Sequence, residues 1–142
     1  MLWVGDCFFG SVDFACNILT QLHGHKLLVR GNHDRSAAAM ARMGFDLVAD
    51  GLSMHIAGRT VRVAHKPPKG VYSREDDGGS ANDDLSAPRL PRGEVLIHGH
   101  VHERYRRLNN RIHVGVDAWD YAPASYAAVE ALILEMPPPP PV

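Results

Sequence analysis

Four short apolar runs punctuate the chain: Leu2-Trp3-Val4, Leu27-Leu28-Val29, Val61-Arg62-Val63-Ala64 and Val95-Leu96-Ile97. Runs of this length, rich in branched residues and bounded by glycine or polar positions, read as buried strands. Between the first two, apolar residues recur near helical spacing from Val12 to Leu22 (Val12, Cys16 and Leu19, flanked by Phe14, Ile18 and Leu22), and Gly24 supplies a stop. A helix is predicted there, and a strand over Lys26 to Arg30. Ser36 to Met43 is an alanine-rich helix ended by Gly44, where a left-handed cap is expected. Leu52 to Ala57 and Thr60 to Ala64 read as a hairpin turning at Gly58-Arg59. Val95 to His98 and Arg111 to Val116 are the last predicted strands, and Ala124 to Glu135, with Pro123 near its start, is the terminal helix. Strands alternating with helices imply an α/β layered domain.

The pattern breaks between residues 66 and 93. Four prolines, several glycines and the acidic run Glu75-Asp76-Asp77 mark a long loop, whose place directly after a candidate ligand, His65, favours a lid over a plain surface insertion. Residues 137–142 form a polyproline tail, so the expected division is one domain over 1–136 followed by that tail.

Composition narrows the setting. The 142 residues are enough for a single buried core, and 15 Lys+Arg against 16 Asp+Glu leave no overall attraction to nucleic acid or membrane. Phosphate affinity therefore has to come from a local site. Cys7 and Cys16 lack the spacing of a disulfide framework or a cysteine zinc site, which fits a reducing, cytoplasmic compartment. Apolar runs fall short of the roughly 18 to 20 residues of a membrane span, and no secretory leader opens the chain.

Chemistry collects at the ends of the apolar runs. Leu2-Trp3-Val4 leads to Gly5-Asp6, Leu27-Leu28-Val29 to Gly31-Asn32-His33-Asp34, Val61 to Ala64 leads to His65, and Val95-Leu96-Ile97 to His98-Gly99-His100-Val101-His102. In an open α/β sheet, groups at the carboxyl ends of strands distant in sequence can share one crevice. Five of the nine histidines hold such positions, whereas His23, His25, His55 and His113 read as structural. Glycine before Asp6 and before Asn32 lets the backbone approach closely. Carboxylate, amide oxygen and imidazole together suit Mn, Fe, Zn or Ni better than Ca or Mg.

Gly5-Asp6, Gly31-Asn32-His33-Asp34, His65 and Gly99-His100-Val101-His102 stand in the order and setting of the calcineurin-like metallophosphoesterases, and the chain resembles their small prokaryotic or phage-type members up to the proline tail. That resemblance implies a layered β-sandwich flanked by helices and a dinuclear centre of divalent metal ions. It makes Asp6 the bridging ligand, gives Asn32, His65 and His100 to one ion, and gives His102 to the other. His33 becomes the substrate-side catalytic group with Asp34 holding its ring, and His98 a supporting residue.

Family members begin with a strand ending in Asp-x-His, which supplies two further ligands, and no such segment precedes Met1. The expectation is one four-ligand metal site, a second that is weak or absent, and a sheet edge left uncovered, which invites self-association. A start placed at an internal methionine is the expected origin of the gap. Asp117 is a further candidate on the substrate side, and Asp120 reads as a surface turn. The function implied is hydrolysis of a phosphomonoester or phosphodiester through a metal-activated water, with nucleotides and nucleic acids as substrates at most. The alternative is a catalytically impaired module that binds one metal or a phosphate ligand and acts through protein contacts. Lys66, Lys69, Arg74, Arg89 and Arg92 could meet phosphate groups.

Overall fold

The computed structural model of the chain describes residues 1–67, 90–91, 93–102 and 105–138. Most of the predicted loop over 66–93, with Lys69, Arg74, Arg89 and Arg92, and the last four residues of the tail lie outside the described residues.

Two sheets and three helices make a mixed α/β fold. Strands β1 (Leu2–Val4), β2 (Leu27–Val29) and β3 (Leu47–Ala49) form a parallel sheet in that order, with Trp3 paired to Leu28 and Leu28 to Val48. Parallel strands need crossovers, and helices α1 (Val12–Gln21) and α2 (Ala37–Met43) supply them. Ser11 and Ser36 cap these helices by accepting the amide hydrogens of Phe14 and Ala39. Gly44 closes α2 at φ +121°, as its position predicts.

The second sheet runs β4 (Leu52–Ile56), β5 (Arg59–Val63), β6 (Val95–His98), β8 (Arg111–His113) and β7 (Arg107–Leu108). The β4–β5 hairpin turns at Ala57-Gly58, one residue earlier than predicted, because Ile56 pairs with Arg59 and both turn residues take positive φ (50° and 73°). That is the geometry of the turn whose twist suits a hairpin, and it puts glycine second. Strands β3 and β7, of three and two residues, are too short to stand out in the sequence. Helix α3 (Tyr126–Leu134) begins after Pro123 and Ser125, within the predicted span.

Side-chain alternation along β1 and β2 divides the interior. Leu2, Val4 and Val29 face a core shared with β4, β5, β6, β8 and α3, while Trp3 and Leu28 face α1 and α2. Burial on both faces is what a parallel sheet requires. Arg59 donates to the carbonyls of Met136 and Pro137, fixing the start of the proline tail against β5. Among the described residues no helix is long and apolar enough to cross a membrane.

Candidate metal centre

The carboxyl ends of β1, β5 and β6 meet, and three glycines make the meeting sterically feasible. A Cβ on Gly5 would lie 2.2 Å from His65 Nδ1, one on Gly31 2.1 Å from Asp6 Oδ1, and one on Gly99 2.7 Å from the carbonyl oxygen of Val4. No side chain fits in those gaps, so the backbones close to a distance only glycine allows. Gly5 also carries φ +82°, which turns the chain so that Asp6 points inward. Asp6, His100 and His102 are themselves left-handed, at φ 51°, 70° and 51°. Such conformations in non-glycine residues persist where surrounding structure imposes them, and they concentrate at functional sites.

Asp6, His65 and His100 form the cluster. One potential ligand atom from each lies within 4.8 Å of the others, and His65 is buried while Asp6 and His100 are half-buried. Asp6 Oδ1 accepts the amide hydrogen of His33 at 2.9 Å, and Oδ2 lies 3.1 Å from His65 Nε2. Burial opposes ionisation of Asp6. When His65 is protonated, its Nε2–H and the His33 amide, together with the His65 and His33 charges, outweigh burial and hold the carboxyl below its usual value.

His65 Nδ1 donates to the Val4 carbonyl at 2.9 Å, because a carbonyl can only accept. In the neutral ring the Nε2 lone pair then faces the Asp6 carboxylate. Two acceptors 3.1 Å apart repel unless a proton or a cation lies between them. The donor set therefore fits a divalent cation: one carboxylate, two imidazoles, and one of the imidazoles oriented by a backbone carbonyl as ligating histidines commonly are. The His65 and His100 rings meet edge to face with centroids 5.1 Å apart.

The other predicted site residues divide. Asn32 and His33 are exposed and line the same groove as the cluster. Asp34 does not hold the His33 ring. Its carboxylate accepts the amide hydrogens of Gly31 (2.8 Å), Asp6 (2.9 Å) and Cys7 (3.0 Å), so it braces the two strand-end loops against each other. Tight turns leave amides without partners, and a carboxylate satisfies several at once. The His33 ring lies instead against Phe9, at 5.4 Å between centroids.

His102 stands outside the cluster, largely exposed, with Nδ1 3.3 Å from Asp117 Oδ2. Asp117 is carried on a 3-10 turn (Val116–Trp119) that Arg106 braces by stacking its guanidinium over Trp119 at 4.9 Å and by pairing with Asp120 at 2.8 Å. Asp120 is thus a surface turn residue, as predicted. His98 is fully buried: Nδ1 donates to the Gly99 carbonyl at 2.8 Å, leaving Nε2 to accept from Tyr105 Oη at 3.1 Å. Burial pushes its pKa down to about 4, consistent with a neutral, supporting ring. Cys7 is held firmly as a thiol by burial and by the Asp34 and Asp6 charges.

The cluster opens on a groove of about 1100 Å³. Lys66 and Asp117 line it beside the histidines, whereas Leu2, Met54, Ile56, Ile97 and Val129 give it an apolar wall. The sequence does not reveal this wall, because its residues look like ordinary core positions. The same holds for the Val4 carbonyl that orients His65, since a backbone group carries no sequence signal.

No protein-family model matches the chain. The gene 66 protein of Mycobacterium phage L5 is 31% identical over 144 residues, a match that covers 83% of this chain and 66% of the phage protein. A crystal structure of AQ665, a protein of unknown function from Aquifex aeolicus, superposes with a TM-score of 0.63 at 24% identity, over 92% of this chain and 74% of that one. The two share a fold. The chain thus spans less than the full length of both proteins it resembles.

Proposed function

We propose that the chain is a metal-dependent phosphoesterase domain of the calcineurin-like type, with the layered sandwich of that family, that hydrolyses phosphomonoesters or phosphodiesters. The observation that carries this reading is the convergence of Asp6, His65 and His100 from three strand ends onto one wall of a groove that His33 and Asn32 also line. Asp6, His65 and His100, with the Asn32 amide oxygen at the rim, would hold a divalent ion of the Mn, Fe, Zn or Ni type. Such an ion supplies charge neutralisation at the phosphoryl oxygens and a lower pKa for attacking water.

The chain's own residues do the rest. Asp6 and His65 keep a fixed carboxylate and an oriented imidazole at the base of the groove. His33, exposed at the rim beside Phe9, can donate an N–H to a phosphoryl oxygen. As the water oxygen bonds to phosphorus and the ester P–O bond breaks, His33 can also pass a proton to the departing oxygen. Lys66 adds a positive charge to the lining. A reducing cytoplasmic setting agrees with the two free cysteines.

One observation favours the second reading, a single-metal or phosphate-binding module. His102, expected to serve a second ion, pairs with Asp117 instead of joining the cluster. The deciding experiment is hydrolysis of p-nitrophenyl phosphate and its bis ester by purified protein with added Mn²⁺, beside His33→Ala. A rate at least 100-fold above that of His33→Ala supports the enzyme. Equal rates, with one Mn²⁺ bound per chain, support the binding module.

A further inference from the structure

The loop between β1 and α1 carries two adjacent phenylalanines in opposite settings. Phe8 packs against the core, its ring 5.6 Å from that of Trp3, and the amide just before it, that of Cys7, is held by Asp34 at 3.0 Å. Phe9 is 75% exposed and lines the groove beside the metal cluster. Its ring stands 5.4 Å from that of His33, tilted by 51°. Because Cys7 and Phe8 are anchored, Phe9 is presented at the lip of the site without rearrangement, which spares a ligand the cost of ordering it.

A phenyl ring left in water adds little to folding and gains when a flat group covers it. Phosphoesters differ in what they bring to such a ring. In an aryl phosphate the ring is bonded directly to the ester oxygen, which crowds it onto His33 together with the phosphoryl group. An alkyl phosphate has no π-face. A nucleoside phosphate sets its base one sugar away from phosphorus, so the base reaches Phe9 while the phosphoryl oxygens meet His33. The groove, at about 1100 Å³, has room for a ligand of that size. A long single strand needs a positive groove along its backbone. Here, among the described lining residues, the charge of Lys66 is set against the carboxylates Asp6 and Asp117.

We propose that Phe9 is a substrate-binding residue on which a nucleobase stacks, so that nucleoside phosphates are the substrate class of this site; the assignment rests on the phosphoesterase reading. Stacking on an aromatic side chain strengthens binding about 5- to 150-fold per base, and every base has a π-face to offer. Phe9 therefore selects nucleotides as a class and not one base.

The test uses the full chain with Mn²⁺ and two probes that cannot be hydrolysed, the phosphonates of adenosine and of ribose with CH₂ in place of the 5′ ester oxygen. Titration calorimetry is expected to show the adenosine probe binding about tenfold more tightly than the ribose probe. Phe9→Ala and Phe9→Leu should abolish that preference, and Phe9→Trp should keep it. Equal affinities in the wild type would overturn the proposal. So would a full preference in Phe9→Leu, which would make the contact merely apolar, or an equal loss for both probes in Phe9→Ala, which would assign Phe9 to propping the His33 ring. Hydrolysis of adenosine 5′-phosphate and of the nitrophenyl esters is measured beside the titrations. Hydrolysis without a base preference overturns the stacking role alone. A base preference lost in Phe9→Ala, with no ester hydrolysed, supports the stacking role and overturns the phosphoesterase reading instead.

Discussion

The Asp34 carboxylate accepts the backbone amide of Asp6 at 2.9 Å and, with the same oxygen, the amide of Gly31 at 2.8 Å. One side chain thereby joins the loop after β2 to the loop after β1, and the position of the Asp6 ligand depends on it. Hydrogen bonds to a charged acceptor contribute about 1.5–3 kcal/mol each. Asp34→Ala is therefore expected to destabilise the fold by about 2–4 kcal/mol in urea denaturation and to weaken Mn²⁺ binding as well. A variant with unchanged stability would return Asp34 to the role of orienting His33.

His65 and His102 offer a direct contrast. His65 sits in the cluster with its Nδ1 committed to Val4, and His102 stands outside it against Asp117. Titration calorimetry with Mn²⁺ should show at least a 100-fold loss for His65→Ala and less than fivefold for His102→Ala. Similar losses in both would mean that the two histidines serve ions of comparable strength.

Gly31 is a steric requirement of the site. An added Cβ would sit 2.1 Å from Asp6 Oδ1, so Gly31→Ala must push the carboxylate away from His65. Overpacking of this kind typically costs about 1–3 kcal/mol. The expected result is a lowered Tm together with loss of the stabilisation that added Mn²⁺ gives the wild type. Retention of that stabilisation would show that Asp6 is not a ligand.

His113 makes stability depend on pH. Burial lowers its pKa from an ordinary 6.5 to about 4, so between those values the unfolded chain binds the proton and the folded chain does not. Its contribution is full above about 6.5 and is lost as pH falls toward about 4, on the order of 3 kcal/mol in total. Urea denaturation of His113→Leu across this range should show a shallower acid-side slope than the wild type. Parallel slopes would place the acid sensitivity elsewhere.

The predicted elements and candidate residues fared differently for physical reasons. Helices α1 and α2 were legible because serine caps, apolar spacing and Gly44 are local signals, and β6 because Val95-Leu96-Ile97 is an unbroken buried run. The Asp34 contacts carry no local signal, because a carboxylate beside a histidine in sequence need not meet it in space. The amides of Gly31, Asp6 and Cys7 compete for the same oxygens and reach them first.

The sequence by itself determined which residues stand at the strand ends and where glycine replaces every larger side chain, because both are written in local order and composition. Tertiary structure alone decided which of those ends meet. It put Asp6, His65 and His100 together and left His102 with Asp117. It also set an apolar groove beside the cluster. Those outcomes depend on sheet order and on side-chain-to-backbone hydrogen bonds such as His65 Nδ1 to the Val4 carbonyl, made between residues 61 apart, and no local pattern encodes them.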